Sequence, residues 1–337
     1  MGSRTRIYSE VDFSKDGKQS AFLRLPHSVH RSAYGWLPMP ITCIKNGKGP
    51  TVLLVSGNHG DEYEGQVTLM KLTRRLQPDD IKGRIIILSA ANYPAAMAGM
   101  RTSPIDQGNL NRTFPGNPDG GPTAMIAHFI EAVLLPMADV AIDLHSGGSS
   151  LMYIPSALAR RAKEKRERAK LIELMTIFGA PVSMLLDAPQ GEDRTLTGGA
   201  ERAGVLHMGT ELGGSGTVTP KALAVAEKGT ARLLDHFGVL RKPLFNEKPA
   251  KTRLVVVAGP SYYTYAPDNG LFEPYVELGD EVKAGQAAGA IHFPDTPWRE
   301  PTIAHFEQDG LVVCKRIPGR TERGDCLFHL GSDYSEK

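Results

Sequence analysis

The sequence predicts an α/β fold, a layered domain whose largely parallel sheet is flanked by helices, followed by a small all-β domain. Three observations predict it. Short apolar runs alternate with amphipathic stretches from about residue 50 to 238. Helical periodicity then stops. Beyond it lie short strand-like segments broken by the turns PDNG at 267, LGDEVKAGQ at 278, QDG at 308 and GRTERGD at 319.

Taken in order, TVLLVS (51–56) is apolar, rich in β-branched residues and ends at Gly57, the pattern of a buried strand. Glu64 to Leu76 sets Val67, Leu69, Met70, Leu72 and Leu76 among polar residues, as an amphipathic helix does. Arg84 to Ser89 is again strand-like and is closed by Asn92 and Pro94. Helical signal returns at 122–137 and strand signal at Val140 to Leu144. Pro181 to Leu186 and Val205 to Thr210 read as further short strands, and Ala222 to Phe237 as a closing helix. Residues 1–45 are then an N-terminal extension, 46–240 the α/β domain, RKPLFNEKPA (241–250) a linker and 251–337 the β-rich domain. Within the last, GLFEPYVELGDEVKAGQAAG (270–289) resembles the hairpin of biotinyl and lipoyl carrier domains. It lacks the modified lysine at the turn, so the likeness implies a barrel-sandwich shape without a swinging arm.

Composition narrows the function. A chain of 337 residues that is 41% hydrophobic can bury a sizeable core, so a bound metal would be present for chemistry and not to hold the chain together. With 39 Lys and Arg against 37 Asp and Glu, the net charge of +2 gives no reason to expect nucleic acid or membrane partners. The basic run RRAKEKRERAK (160–170) has no interleaved aromatics and reads as an exposed helical surface. Cys43, Cys314 and Cys326 are few, odd in number and widely separated, which argues for reduced thiols in a cytoplasmic protein. The N-terminus has no apolar signal core, and no run approaches the ~18 apolar residues that span a bilayer.

Four polar clusters carry the chemistry, three of them at strand ends, where α/β domains place ligands. In GNHGDEYEG (57–65), His59 and Glu62 stand three apart, a spacing that shares one face at the first turn of a helix. Imidazole with carboxylate is a partial zinc ligand set; the alternative is a capping or surface role. In AIDLHSGG (141–148), His145 leaves a strand toward the ligand side, and Asp143 can orient its imidazole. A satisfied core histidine is the alternative. His59, Glu62 and His145 together would leave a fourth metal position for water. In TELGGSG (210–216), Glu211 can take a proton from that water and pass it to a leaving amine, or it is a surface acid before a turn. Arg101 and NLNRTFPG (109–116) form the last cluster. Asn111 and Arg112 can grip a carboxylate and Arg101 can polarise a carbonyl, unless the loop is merely structural.

In this order the clusters resemble the succinylglutamate desuccinylase and aspartoacylase family, relatives of the zinc carboxypeptidases. Its pattern is G-x-H-G-x-E, an Arg followed by D-L-N-R-x-F-P-G, D-x-H-S-G and E-x-G. The resemblance covers roughly residues 50–330 and implies a zinc-carboxypeptidase-like mixed sheet with one Zn²⁺ per chain on His59, Glu62 and His145. It further implies that Glu211 is general base and acid, that Arg101 polarises the carbonyl, and that Asn111 with Arg112 clamps the carboxylate of a small N-acylated amino acid. One departure is plain: Asn109 stands where the family has Asp. GNHGDEYEG and LHSGGSSLMYIP look most like the acetyl-diaminobutyrate deacetylases of ectoine breakdown. The alternatives are other N-acyl amino acid deacylases of the succinylglutamate or acetylaspartate type, a metallocarboxypeptidase, a non-catalytic binding module and a zinc-free carrier-domain protein. Tyr262, Tyr265 and His292 are candidates for the acyl pocket, and chain size leaves room for a symmetric homo-oligomer.

Overall fold

The computed structural model describes residues 4–187 and 193–336, so the ends of the expected N-terminal extension and C-terminal domain lie outside the described residues. Among those described, one 15-stranded mixed sheet dominates. Across it run Tyr8–Ser9, Gly17–Pro26, Trp36–Asn46, Gly83–Leu88, Thr51–Ser56, Val140–His145, Leu206–Glu211, Ser156–Arg160, Val182–Leu186, Arg253–Val257, Cys326–Asp333, Gly310–Arg316 and Glu281–Val282, with Tyr263–Tyr265 and Leu151–Tyr153 branching from Cys326–Asp333 and Gly310–Arg316 respectively. The centre is parallel from Gly83–Leu88 to Leu206–Glu211, then Ser156–Arg160 enters antiparallel and parallel pairing resumes to Arg253–Val257. The sheet is therefore mixed.

Its central strand Thr51–Ser56 is buried along its whole length, as a strand between two layers of helices is. In TVLLVS, Val52 and Leu54 point into one core with helices Tyr63–Arg75, Lys165–Phe178 and Pro220–His236. Leu53 and Val55 point into the other with Pro122–Phe129 and Leu196–Ala203. Phe178 is fully buried against the Pro220–His236 helix, where a Cβ on Gly229 would lie 2.5 Å from its ring. Alanine is the better helix former by about 1 kcal/mol, but overpacking a core costs about 1–3 kcal/mol. Gly229→Ala should therefore lower stability by about 1 kcal/mol, read from the urea unfolding midpoint.

The segment expected as an N-terminal extension forms strands of this sheet, with Trp36–Asn46 antiparallel to both Gly17–Pro26 and Gly83–Leu88. Its Pro38 and Pro40 sit where that strand has a neighbour on one side only, which is where a residue without an N–H is tolerated. At the other end, Arg253–Val257 pairs in parallel with Val182–Leu186, so the sheet continues past residue 250. Four further strands, Thr302–His305, Ala287–His292, Gly270–Pro274 and Arg320–Thr321, make a separate antiparallel sheet over Phe272, Phe306 and Phe328. The run 160–170 is not one helix. Arg160 ends a strand, Glu164 is extended, and the helix begins at Lys165. No helix among the described residues is long and apolar enough to cross a membrane.

Candidate metal centre and active site

The site lies at the C-terminal ends of three neighbouring parallel strands. Thr51–Ser56 turns out of the sheet at Gly57, whose φ of 69° suits a residue without a Cβ. His59 and Glu62 follow in that turn and not, as the spacing suggested, in the first turn of the helix, which starts at Tyr63. Glu62 is extended, and the turn is closed by its N–H donating to the His59 carbonyl at 3.4 Å. Its carboxylate makes no cap to the helix and faces the cavity instead.

Val140–His145 and Leu206–Glu211 are in register, with His145 beside Glu211 and Asp143 beside Gly209. Strand alternation therefore puts Asp143, His145, His207 and Glu211 on one face, and Leu158 and Met184 of the next two strands continue it. This face floors a cavity of about 360 Å³ lined by His59, Glu62, Arg101, Asn111, Arg112, His145 and Glu211. All seven sequence-derived site residues meet there.

His59 Nδ1 lies 2.6 Å from Glu62 Oε1, and His145 Nδ1 lies 2.7 Å from Glu62 Oε2. The far nitrogens are occupied by oxygen acceptors: His59 Nε2 meets Asn109 Oδ1 at 3.2 Å, and His145 Nε2 meets Asp143 Oδ2 at 2.7 Å. Asn58 holds that Asp143 oxygen in turn, at 2.8 Å. Such acceptors place the ring protons on the Nε2 atoms and leave both Nδ1 lone pairs facing a carboxylate. Three electron-rich donors within 4.8 Å of one another call for a cation between them, and two imidazoles with one carboxylate are a zinc donor set. In the protein alone, a proton on His145 takes that place. Burial by itself would depress His145, but Asp143 and Glu62 outweigh it and hold the imidazole well above its ordinary value. Burial would likewise raise Glu62, but His59 and His145 keep its carboxyl below the usual carboxylate range.

Asn109 thus occupies a defined position: an amide oxygen supports His59 where the family pattern has a carboxylate. Arg101 reaches Glu62 Oε1 with Nη1 at 3.4 Å and is half exposed at the cavity edge. Asn111 accepts from the Leu196 N–H at 2.8 Å, which turns its amide nitrogen to within 3.3 Å of His145 Nε2. Arg112 donates to the Asn111 carbonyl at 2.7 Å. Glu211 Oε2 is buried without a hydrogen-bond partner. Burial, then the charge of Glu62, push its carboxyl well above its ordinary value.

The C-terminal part supplies one wall, but not through the residues the sequence suggested. His292 is exposed and paired with Glu273 at 2.8 Å. Tyr262 does not line the cavity, and Tyr265, one pleat beyond Tyr263 and stacked on its outer side at 6.3 Å, is half exposed. The wall is Tyr263 and His329, stacked at 4.3 Å, with Tyr153 of the α/β domain beside them at 6.0 Å from the His329 ring. Burial lowers His329 to about 3 and His207, on the floor, to about 4, so both are neutral near pH 7. Tyr153 lies in LMYIP after the glycine turn, a segment that carried the family resemblance and suggested no site residue. His329, a single histidine inside an apolar strand, gave no signal.

Comparison with known proteins adds relatives. Residues 48–237 match the family model described as the succinylglutamate desuccinylase/aspartoacylase catalytic domain. The chain is 41% identical over 325 residues to an N-alpha-acetyl-L-2,4-diaminobutyric acid deacetylase of Halomonas elongata, covering 95% of this chain and 93% of that protein. Among solved structures, the product-bound ectoine utilization protein EutE (DoeB) of Ruegeria pomeroyi superposes with a TM-score of 0.93 at 38% identity, over 98% of this chain and 99% of that one. A succinylglutamate desuccinylase/aspartoacylase from Rhodobacter sphaeroides does so with a TM-score of 0.92 at 39% identity, over 98% and 100%.

Proposed function

The chain belongs to the succinylglutamate desuccinylase/aspartoacylase family of amide-hydrolysing enzymes, and from that premise we propose that it is a zinc-dependent deacylase whose substrate is N-α-acetyl-L-2,4-diaminobutyrate. The carrying observation is the convergence of two imidazoles, their bridging carboxylate and the unpartnered acid Glu211 in one cavity. The substrate assignment leans on the 41% identical relative.

A zinc ion on His59, Glu62 and His145 would act as a Lewis acid toward the acyl carbonyl and bring the pKa of a water toward ~7. The protein's own groups do the rest. Glu211, with a free oxygen and a raised proton affinity, takes a proton from the attacking water and delivers it to the amine nitrogen as the C–N bond breaks. Water's oxygen joins the acyl carbon, so acetate and the free diamino acid leave. Arg101 sets a positive charge near the carbonyl oxygen as negative charge grows on it. Arg112 presents a planar fork to the substrate carboxylate, and Asn111, locked by Leu196, adds an N–H. Asp143 and Asn109 hold the two imidazole rings. The free thiols Cys43, Cys314 and Cys326 agree with a cytoplasmic setting.

Zinc analysis followed by turnover of acetyl-diaminobutyrate, acetyl-aspartate, succinyl-glutamate and a blocked dipeptide tests the reading. The first should give the highest kcat/KM, with about one zinc per chain. Preference for another N-acyl acid would correct the substrate within the class. Preference for the dipeptide would overturn the deacylase.

A further inference from the structure

We propose that Glu64 is a positioning residue for Glu211, a strut from the helix behind the metal ligands to the turn that carries the general base. The inference rests on the assignment of Glu211 as proton carrier.

Glu64 lies two residues after Glu62, in the first turn of Tyr63–Arg75, and is completely buried. It does not line the cavity and is not among the grouped metal donors, so it neither touches substrate nor ligates. Burying a carboxyl is costly unless it makes bonds that an apolar side chain cannot. Its Oε1 accepts the Gly214 N–H at 3.2 Å. A Cβ on Gly213, whose φ is 109°, would stand 2.9 Å from the same oxygen, so the turn and the carboxyl are closely fitted. That turn begins two residues after Glu211. Its other ties are the Thr217 hydroxyl, which donates to the Gly214 carbonyl at 3.1 Å, and backbone bonds: the Gly213 carbonyl accepts from Gly147 at 3.0 Å and Tyr153 at 2.9 Å, and Leu212 N–H donates to the His145 carbonyl at 2.9 Å. Those bonds relate Glu211 to His145. Glu64 relates it to Glu62, because the start of one helix places Glu62 toward the metal donors and Glu64 against the base-bearing turn. The separation of the bridging ligand from the proton carrier is thereby set across one short join, from the turn residue Glu62 to the first helical turn at Glu64.

The test is a double-mutant cycle on the full chain loaded with zinc, with zinc stoichiometry and Tm measured for each protein. Glu64→Ala should lower kcat by about 10- to 100-fold while zinc content holds and KM changes by less than about threefold. Glu64→Gln, which keeps an acceptor oxygen, should recover most of the rate. In a Glu211→Gln background, Glu64→Ala should cost almost nothing more, since no carboxylate remains to be misplaced. Equal losses in both backgrounds, or loss of zinc in place of kcat, would overturn the strut and leave Glu211's role intact. Near-normal turnover of Glu211→Gln alone would remove that role, and the strut with it. If Glu64→Ala does not fold, Glu64→Asp, which withdraws the oxygen by one methylene, takes its place with the same pattern expected.

Discussion

Glu211→Gln should leave zinc bound and lower kcat by roughly 10²–10⁴-fold, the usual worth of a positioned general acid–base. Gln keeps the shape of the side chain and so the packing at the strand end, where Glu211 lies in register with His145. What it loses is a site that can hold a proton. The wild-type carboxyl is raised by burial and then by Glu62, while a cation on the three donors pulls in the opposite sense. Only its ionised form accepts a proton from water, so wild-type kcat/KM should climb with pH through the Glu211 titration. That limb should vanish from the residual rate of the Gln variant. Near-normal turnover, or an unchanged acidic limb, would mean another group carries the proton.

Much of this site was legible because its parts stand at the ends of buried, mainly apolar strands. TVLLVS runs uninterrupted into a polar cluster, VAIDLH is broken only by Asp143, and the register of such strands brings distant residues together. Position 109 shows the limit. The sequence marked the change from Asp to Asn, but only the fold shows its amide oxygen behind His59. The N-terminal strands escaped because the run from Trp36 to Asn46 contains Pro38 and Pro40, which argue against a strand until one sees that a neighbour is missing on that side. Glu64 was hidden by its neighbour. In GDEYEG three acids, Asp61, Glu62 and Glu64, compete for one role, and nothing local tells which faces the cavity and which lie behind it. The wall of Tyr153, Tyr263 and His329 depends on pairing between Leu151–Tyr153 and the C-terminal strand Gly310–Arg316, a contact far apart in sequence and without a local pattern.

Glu62→Gln should abolish stable zinc binding. Its two oxygens each face one imidazole, so the substitution removes the anionic charge and puts an amide NH2 where one of the two carboxylate oxygens faced an Nδ1 atom. The metal-free wild type binds a proton where the ion would sit. His145 is held well above its ordinary value by Asp143 and Glu62, so its contribution to stability is fully present below about pH 6.5 and is lost as pH rises through the higher folded value. Zinc must displace that proton, so wild-type zinc affinity should rise with pH over the same interval, measured by competition with a chelator. Two signatures then separate ligand loss from general damage. Added zinc should raise the Tm of wild type by mass action and leave that of Glu62→Gln unmoved. Removing one partner of a buried charged group costs about 3–5 kcal/mol, so the variant without metal should also unfold at lower denaturant than metal-free wild type. A Glu62→Gln protein that keeps near one zinc per chain after dialysis would show that the bridging carboxylate is not a ligand.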